Sequence, residues 1–147
     1  MSRLTGRIAV VTGAASGIGK GIAIAFAREG ANLVVADKVA EEHAAEVLAA
    51  VRGHGREALF VRTDVSDEQS VRSMAEAALA RFGRVDILVN NAGIFTESLI
   101  ENLAIEDWDR VVNTNLRGTF LCTRALIGQM LERHDGRTSI SPRSSVR

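Results

Sequence analysis

A glycine-rich turn follows the first apolar run of the chain directly. Residues 12–21 read TGAASGIGKG, with Gly13, Gly17 and Gly19 in a G-x3-G-x-G spacing. Between a strand and a helix, such a turn directs backbone N–H groups and the positive end of the helix dipole at one point, which suits a pyrophosphate. The turn is not a P-loop, because Lys20 is followed by Gly21 rather than by Ser or Thr. A tight turn without a ligand is the alternative.

An acidic residue stands where a dinucleotide-binding turn needs one. Asp37 follows Gly19 by 18 residues and ends the second apolar run. A carboxylate there can accept hydrogen bonds from the adenosine ribose hydroxyls and repels a 2′-phosphate, which favours NAD over NADP. Lys38 is an adjacent cation that could instead pair with such a phosphate. The alternative role for Asp37 is to cap the glycine turn or the helix that follows.

The elements that would position these residues follow from the hydrophobic periodicity. Short β-branched runs alternate with longer amphipathic stretches, a pattern typical of βαβ units on a parallel sheet. We predict strands at residues 7–13, 32–37, 57–64 and 85–93, and helices at residues 17–29, 40–52, 67–82, 105–113 and 116–133. The first three helices end at glycines, which favour helix termination. The sequence therefore predicts an α/β fold.

Four motifs in order resemble one known family. TGAASGIG at residues 12–19, Asp37, the pair Asp64 and Val65, and NNAG at residues 90–93 resemble the short-chain dehydrogenase/reductase family in its classical form, over residues 4 to 137. The resemblance implies a Rossmann-like, doubly wound parallel sheet with flanking helices. This chain would hold only its front half, in strand order 3-2-1-4. It also implies hydride transfer between a nicotinamide cofactor and a small alcohol or ketone.

The resemblance assigns site residues. Cofactor-binding roles fall on Thr12, Gly13, Ser16, Gly17, Ile18, Gly19, Asp37, Asp64, Val65, Asn90, Ala92 and Gly93. Thr12 would tie the glycine turn to the fourth strand, and Asp64 with Val65 would contact the adenine. Two alternatives stay open. Asp64 or Ser66 could cap the third helix, and Asn90 with Asn91 could simply form a turn.

Asn115 matches the catalytic asparagine of the family, which holds a water in a proton relay through a kinked helix. Asn113, Thr114 and Gly118 have low helix propensity, so a local break is plausible here. The alternative is that Asn115 is only a helix-breaking polar residue. The three histidines have no partner at ligand spacing, so we expect no metal site.

The chain departs from the family after Arg137. There the family continues with an apolar fifth strand and then Tyr-x-x-x-Lys, whereas this sequence reads TSISPRSSVR and contains no Tyr. We therefore predict a cofactor-binding domain of residues 1–137 and a disordered tail of residues 138–147 in place of the fifth strand. Neither Ser144 nor Ser145 is expected to be catalytic. A changed reading frame or an alternative end would explain the switch, and the chain as given is expected to be inactive.

The amino-acid composition indicates which classes of partner and which cellular setting the chain favours. The 18 basic and 18 acidic side chains cancel, which disfavours nucleic acid and membrane surfaces. We expect no membrane span and no signal peptide. A single cysteine, Cys122, excludes an internal disulfide and favours a reducing, cytoplasmic setting.

Two hypotheses on function remain. The first is an NAD-dependent oxidoreductase of which this chain is the cofactor-binding part. The second is a non-catalytic NAD-binding or subunit-associating module. The apolar residues within the helix at 116–133 resemble the dimer helix of the family, so we expect a homo-oligomer formed through that helix, although such stripes are also common in protein cores.

Overall fold

The computed structural model describes residues 2–141 and shows a five-stranded parallel sheet in the order β3-β2-β1-β4-β5. The strands are β1 (Ile8–Thr12), β2 (Asn32–Asp37), β3 (Ala58–Arg62), β4 (Ile87–Asn90) and β5 (Arg137–Ile140). All neighbouring strands pair in parallel. The predicted α/β class, the doubly wound parallel sheet and the order 3-2-1-4 of its first four strands are confirmed.

Helices connect the strands in the predicted order. They are α1 (Gly17–Arg28), α2 (Ala45–Gly53), α3 (Glu68–Phe82), α4 (Ile105–Val112) and α5 (Gly118–Glu132). A 3-10 turn (Glu41–Ala44) precedes α2, another (Ile100–Asn102) precedes α4, and a π-helical segment (Asn113–Arg117) joins α4 to α5. The predicted break near Asn115 thus takes the form of a widened helical turn, not an interruption of the helix.

The beginning of α3 departs from the predicted alternatives. Asp67 is the N-cap, and its carboxylate accepts hydrogen bonds from the backbone N–H groups of Gln69 and Ser70. The prediction that Asp64 or Ser66 could cap this helix was therefore wrong. An Asp is among the preferred N-cap residues, and Asp67 stands nearer to the first helical turn. Asp64 remains available at the end of β3.

The sheet carries apolar clusters on both faces, as a buried parallel sheet requires. Ala23 and Ala27 of α1 and Val47 of α2 pack with alternate residues of β1 and β2. Residues of α3 and α5, among them Met74 and Leu126, pack with the opposite face. Every residue of β1 is buried. The first strand, which leads into the glycine turn, is thus fixed from both sides.

The amino ends of β1 and β4 are joined by one buried carboxylate. Asp86, which is 2% exposed, accepts a hydrogen bond from the backbone N–H of Ile8 at 2.8 Å. Its oxygens also lie 3.2 Å from guanidinium nitrogens of Arg84 and Arg133 and 3.6 Å from one of Arg7. This cluster ties both strands to the end of α5. It sets the alignment that brings their carboxyl ends together at the opposite edge.

A fifth strand forms, and the prediction that none follows residue 137 was wrong. Strand β5 pairs with β4 from Ile87 opposite Arg137 to Asn90 opposite Ile140. Backbone hydrogen bonding to the free edge of β4 does not depend on apolar side chains, which explains why the polar sequence RTSI still pairs. All four of its residues are exposed, so it adds nothing to the core. Pro142, Ser144, Ser145 and most of the predicted disordered tail lie outside the described residues.

Candidate cofactor site

The glycines of the turn differ in the space that surrounds them. Gly13 and Gly17 have positive φ angles of 65° and 58°, a conformation that L side chains rarely adopt. A Cβ added at Gly19 would lie 2.3 Å from the carbonyl oxygen of Gly13, whereas one added at Gly17 would have nothing within 4 Å. Gly19 therefore allows α1 to approach the strand closely. The space in front of Gly17 is open.

Thr12 and Asn91 lock the end of β1 to the end of β4. The Thr12 hydroxyl accepts hydrogen bonds from the backbone N–H groups of Asn91 and Ala92, each at 3.0 Å, and donates to the Val89 carbonyl oxygen at 3.4 Å. In return the Asn91 amide donates to the carbonyl oxygens of Thr12 and Gly13 at 3.1 and 3.2 Å. The NNAG segment and the glycine turn thus form one rigid unit.

Asp37 ends β2 beside the glycine turn. One carboxylate oxygen accepts the backbone N–H of Ala15 at 3.0 Å, and the other accepts that of Val39 at 3.4 Å. The structure therefore shows the alternative, loop-capping role of Asp37. That role does not exhaust the carboxylate, because each oxygen can accept more than one hydrogen bond. Asp37 also lines the cleft described below.

Asp64 stands at the end of β3 as an ionised group. The hydroxyl and the backbone N–H of Ser66 donate to one of its oxygens at 2.6 and 3.0 Å. The Ser66 hydroxyl bond above all, with the Ser66 backbone N–H and the charge of Lys38, lowers the pKa of Asp64 below its ordinary value of 3.8. The structure records no hydrogen bond to its other oxygen among residues 2–141. Val65, beside it, packs against Gly118 at the start of α5.

Asn90 and Asn115 are bound to neighbouring segments. Asn90 is 5% exposed, and its amide donates to the Thr123 hydroxyl at 3.2 Å. Asn115, in the π-helical segment, forms a reciprocal pair with the backbone of Ile94. Its oxygen accepts the Ile94 N–H at 2.9 Å, and its amide donates to the Ile94 carbonyl oxygen at 2.8 Å. This pair fixes the loop after β4 against the kinked helix.

These elements enclose a cleft of about 360 Å³ at the carboxyl edge of β1, β2, β3 and β4, the edge where ligands bind in doubly wound sheets. It is lined by Gly13, Ser16, Gly17, Ile18, Asp37, Lys38, Val39, Thr63, Asp64, Val65, Asn91, Ala92, Gly93, Ile94 and Thr114. Nine of the twelve predicted cofactor residues are among these fifteen. Thr12, Gly19 and Asn90 are not, and their contacts place them behind the lining.

Sequence reasoning did not assign six of the lining residues to the site. They are Lys38, Val39, Thr63, Asn91, Ile94 and Thr114. Five of them lie within two positions of a predicted site residue at a strand end, and Thr114 precedes the predicted Asn115. Extending the motifs by one or two residues on either side would have found all six. Asn91 matters most, because its amide holds the glycine turn.

A model of the family described as short chain dehydrogenase matches residues 7–140. The chain belongs to the short-chain dehydrogenase family. The family predicted from the four sequence motifs is thus confirmed.

Known short-chain dehydrogenases resemble the chain over nearly all of its length. It is 47% identical over 135 residues to a D-threitol dehydrogenase of Mycolicibacterium smegmatis, covering 91% of this chain and 51% of that protein. It is 40% identical over 137 residues to a 3-oxoacyl-[acyl-carrier-protein] reductase of Synechocystis sp., covering 93% and 56%. The crystal structure of a putative short-chain alcohol dehydrogenase from Sinorhizobium meliloti 1021 superposes with a TM-score of 0.89 at 38% identity, covering 93% and 54%. The chain spans about half the length of the relatives it matches.

The described residues show two further absences. None of the helices within residues 2–141 is long and apolar enough to cross a membrane. No group of three or more His, Cys, Asp or Glu side chains in that range could hold a metal ion.

Proposed function

We propose that the cleft binds NAD and that the chain is the cofactor-binding part of an NAD-dependent short-chain oxidoreductase. Such an enzyme transfers a hydride between a small alcohol or ketone and the nicotinamide, which supplies or accepts the hydride when bound. The observation that carries the proposal is the meeting of the glycine turn, Asp37, Asp64 and the NNAG segment around one cleft. A merely tight turn would not require two acidic strand ends to face the same space.

The glycine turn fits a pyrophosphate. The open space in front of Gly17 leaves room for its oxygens, and the first N–H groups of α1 point out of the helix end. Ser16, the N-cap, makes no side-chain capping hydrogen bond within the described residues. Its hydroxyl and the free N–H groups can therefore donate to an anion. Gly19 has no room for any side chain, because α1 must lie close to Gly13.

Two acidic residues favour NAD over NADP. The free lone pairs of Asp37 would accept hydrogen bonds from the ribose hydroxyls, and its charge would repel a 2′-phosphate. Lys38 lines the same cleft, but its charge acts on Asp64, whose pKa it helps to lower. A 2′-phosphate in the cleft would therefore face the carboxylates of Asp37 and Asp64 as well as the Lys38 cation. We therefore propose NAD as the cofactor, with NADP disfavoured.

The other strand ends would hold the adenosine. Asp64 has an oxygen available for the adenine amino group, with Val65 against the ring, while Ala92 and Gly93 border the ribose. Asn90 would act from behind, through Thr123. Asn115 would place the Gly93–Ile94 backbone through its paired hydrogen bonds. In a complete enzyme it would also take part in the proton relay.

The proton-transfer step needs groups that this sequence does not contain. The 147 residues include no Tyr, and the only lysines are Lys20 and Lys38. Lys20 pairs with Glu46 at 3.0 Å, and Lys38 lines the cleft together with Asp64 at the proposed adenine end. Neither can partner a catalytic phenol at the nicotinamide. We therefore propose that the chain by itself binds NAD without turnover.

Isothermal titration with NADH and a turnover assay with NAD and small alcohols, D-threitol among them, test this proposal together. We expect saturable NADH binding and no NADH formation. Absence of binding by the folded chain would contradict the cofactor site. Turnover would contradict the need for the absent Tyr and Lys.

A non-catalytic, subunit-associating module is the second candidate. It is favoured by exposed apolar residues on α5 and the segment before it, where Leu116, Phe120, Ile127 and Leu131 are 37–70% exposed. Their spacing of four and seven residues places them along one side of the helix. We propose homo-oligomerisation through this stripe, and sedimentation equilibrium tests it, since a strictly monomeric chain would contradict it.

The single, buried Cys122 supports the prediction of a reducing, cytoplasmic setting.

A further inference from the structure

The turn after β3 is anchored by side chains that do not line the cleft. It consists of Asp64, Val65 and Ser66, of which the first two are lining residues. The Ser70 hydroxyl of α3 accepts the backbone N–H of Asp64 at 2.9 Å. In the π-helical segment, the Nε–H of Arg117 donates to the Ser66 carbonyl oxygen at 3.4 Å. The backbone of the turn is thus tied to two helical elements.

Val65 packs tightly against the start of α5. A Cβ added at Gly118 would lie 2.7 Å from a methyl carbon of Val65 and 3.2 Å from its carbonyl oxygen. Val65 itself is only 6% exposed. Because the turn has no room to move toward α5, the backbone position of the adjacent Asp64 is fixed.

The Ser66 side chain orients the Asp64 carboxylate. The hydroxyl and the backbone N–H of Ser66 donate to the same carboxylate oxygen, Oδ1, at 2.6 and 3.0 Å. The shorter distance is in the range of charge-assisted bonds between a hydroxyl and a carboxylate. With Oδ1 engaged twice, Oδ2 is the oxygen that a ligand in the cleft can reach.

The Ser66 hydroxyl is not needed to cap a helix. Asp67 is the N-cap of α3 and accepts the N–H groups of Gln69 and Ser70. Asp37, the other acidic residue of the cleft, is held differently, because its two oxygens both accept backbone N–H groups. At Asp64, by contrast, the stronger of the two contacts comes from a side chain, and a substitution can remove it without altering the backbone.

We propose that Ser66 is a positioning residue, which holds Asp64 so that its second oxygen accepts the exocyclic amino group of adenine and the cleft selects adenine over a base with a carbonyl there. This inference rests on the proposed function, in which Asp64 contacts the adenine. A carboxylate that is already oriented loses little conformational freedom when the base binds. The lowered pKa of Asp64 agrees with this role, because an ionised carboxylate only accepts hydrogen bonds.

NADH and reduced nicotinamide hypoxanthine dinucleotide are the probes, because they differ only in the purine. Hypoxanthine has a carbonyl oxygen in place of the exocyclic amino group, and its ring N–H belongs to the neighbouring atom. It therefore presents an acceptor where Asp64 needs a donor. In isothermal titration we expect the wild-type chain to bind NADH about 10-fold more tightly than the hypoxanthine dinucleotide, the effect of one hydrogen bond to a charged group.

Substitutions of Ser66 test its role through the ratio of the two affinities. Ser66→Ala should make the preference for NADH about threefold smaller, the effect of leaving one side chain to be immobilised on binding. Ser66→Thr, which keeps the hydroxyl, should retain the preference. The matched control is Ser73→Ala, at an exposed position of α3, which should change neither affinity. A merely structural role of Ser66 would weaken both dinucleotides equally, so an undiminished preference in Ser66→Ala would overturn the proposal.

A double variant tests whether Ser66 acts through Asp64. Asp64→Ala should abolish the preference for NADH. Adding Ser66→Ala to Asp64→Ala should weaken NADH binding no further, because the carboxylate that Ser66 orients is already absent. If the double variant bound NADH more weakly than Asp64→Ala, Ser66 would act by another route and the proposal would be overturned.

Ser66→Cys guards against a folding defect in Ser66→Ala. A thiol replaces the hydroxyl but is a weak donor, so the same reduced preference is expected, and a preference equal to that of the wild type would count against the proposal. Equal affinity of the wild-type chain for the two dinucleotides would overturn this inference while the cofactor proposal stands. Binding of neither dinucleotide by the folded chain would overturn both.

Discussion

The hydroxyl of Thr12 offers a sharp test of how the cleft is held. Thr12 is 1% exposed, and its hydroxyl accepts from two backbone N–H groups, those of Asn91 and Ala92, while donating to Val89. Thr12→Val keeps the shape of the side chain and removes all three hydrogen bonds. Each buried N–H left without a partner costs about 1–3 kcal/mol. The Asn91 N–H keeps the Val89 carbonyl oxygen as an acceptor at 3.1 Å. Only the Ala92 N–H is then left without a partner, so we expect a loss of about 1–3 kcal/mol from the roughly 5–15 kcal/mol that stabilises a typical domain.

Thr12→Ser is the matched control. It retains the hydroxyl and removes only one buried methyl group, at about 1 kcal/mol. Urea denaturation of the two variants gives the difference in the free energy of unfolding. NADH titration should show weaker binding by Thr12→Val alone, because the NNAG segment would no longer be fixed to the glycine turn. If Thr12→Val were as stable as Thr12→Ser and bound NADH as well, the proposed locking of β1 to β4 would be refuted.

Three further outcomes are expected. Gly19→Ala should destabilise the protein by about 1–3 kcal/mol and weaken NADH binding, since its Cβ would lie 2.3 Å from the Gly13 oxygen. The control Gly21→Ala, whose Cβ would have nothing within 4 Å, should do neither. Equal effects of the two substitutions would contradict the close packing at Gly19. Burial raises the pKa of the Cys122 thiol to about 12, so iodoacetamide should modify it only as fast as the protein unfolds, and rapid modification in native buffer would be inconsistent with the core position. Folding lowers the pKa of Asp64, so its contribution to stability is present above the ordinary value of 3.8 and is lost as the pH falls through the lower folded value. Asp64→Asn should therefore reduce the slope of melting temperature against pH in that acidic range. An unchanged slope would argue against the Ser66 hydrogen bonds.

The sheet could be predicted from sequence because its signals are local. The runs that became β1 and β2 are continuous and apolar, and the helices between the strands have amphipathic spacing with glycine at their ends. The site motifs were equally readable, since each stands at the carboxyl end of a strand. Parallel pairing then brings Gly13, Asp37, Asp64 and Ala92 to one edge.

What the sequence could not predict depends on tertiary geometry. Strand β5 forms because β4 offers a free hydrogen-bonding edge, a feature that the polar composition of RTSI does not reveal. The sequence offered both cofactor binding and capping of the glycine turn for Asp37, and only the approach of the two strand ends shows that its carboxylate caps the Ala15 N–H. The pairing of the Asn91 amide with the glycine turn joins residues 78 and 79 positions apart. Such contacts have no local periodicity.

The central claim is that the cleft binds NAD and that Asp37 favours NAD over NADP. A thermal-shift titration with NADH and with NADPH, on the wild-type chain and on Asp37→Ala, tests this claim most directly. A ligand that binds only the folded state raises the melting temperature in proportion to ln(1 + [L]/Kd). The account predicts a larger shift with NADH than with NADPH in the wild type, and a weaker NADH shift with loss of that preference in Asp37→Ala. No shift with either nucleotide, or an NADH preference that survives the substitution, would contradict it.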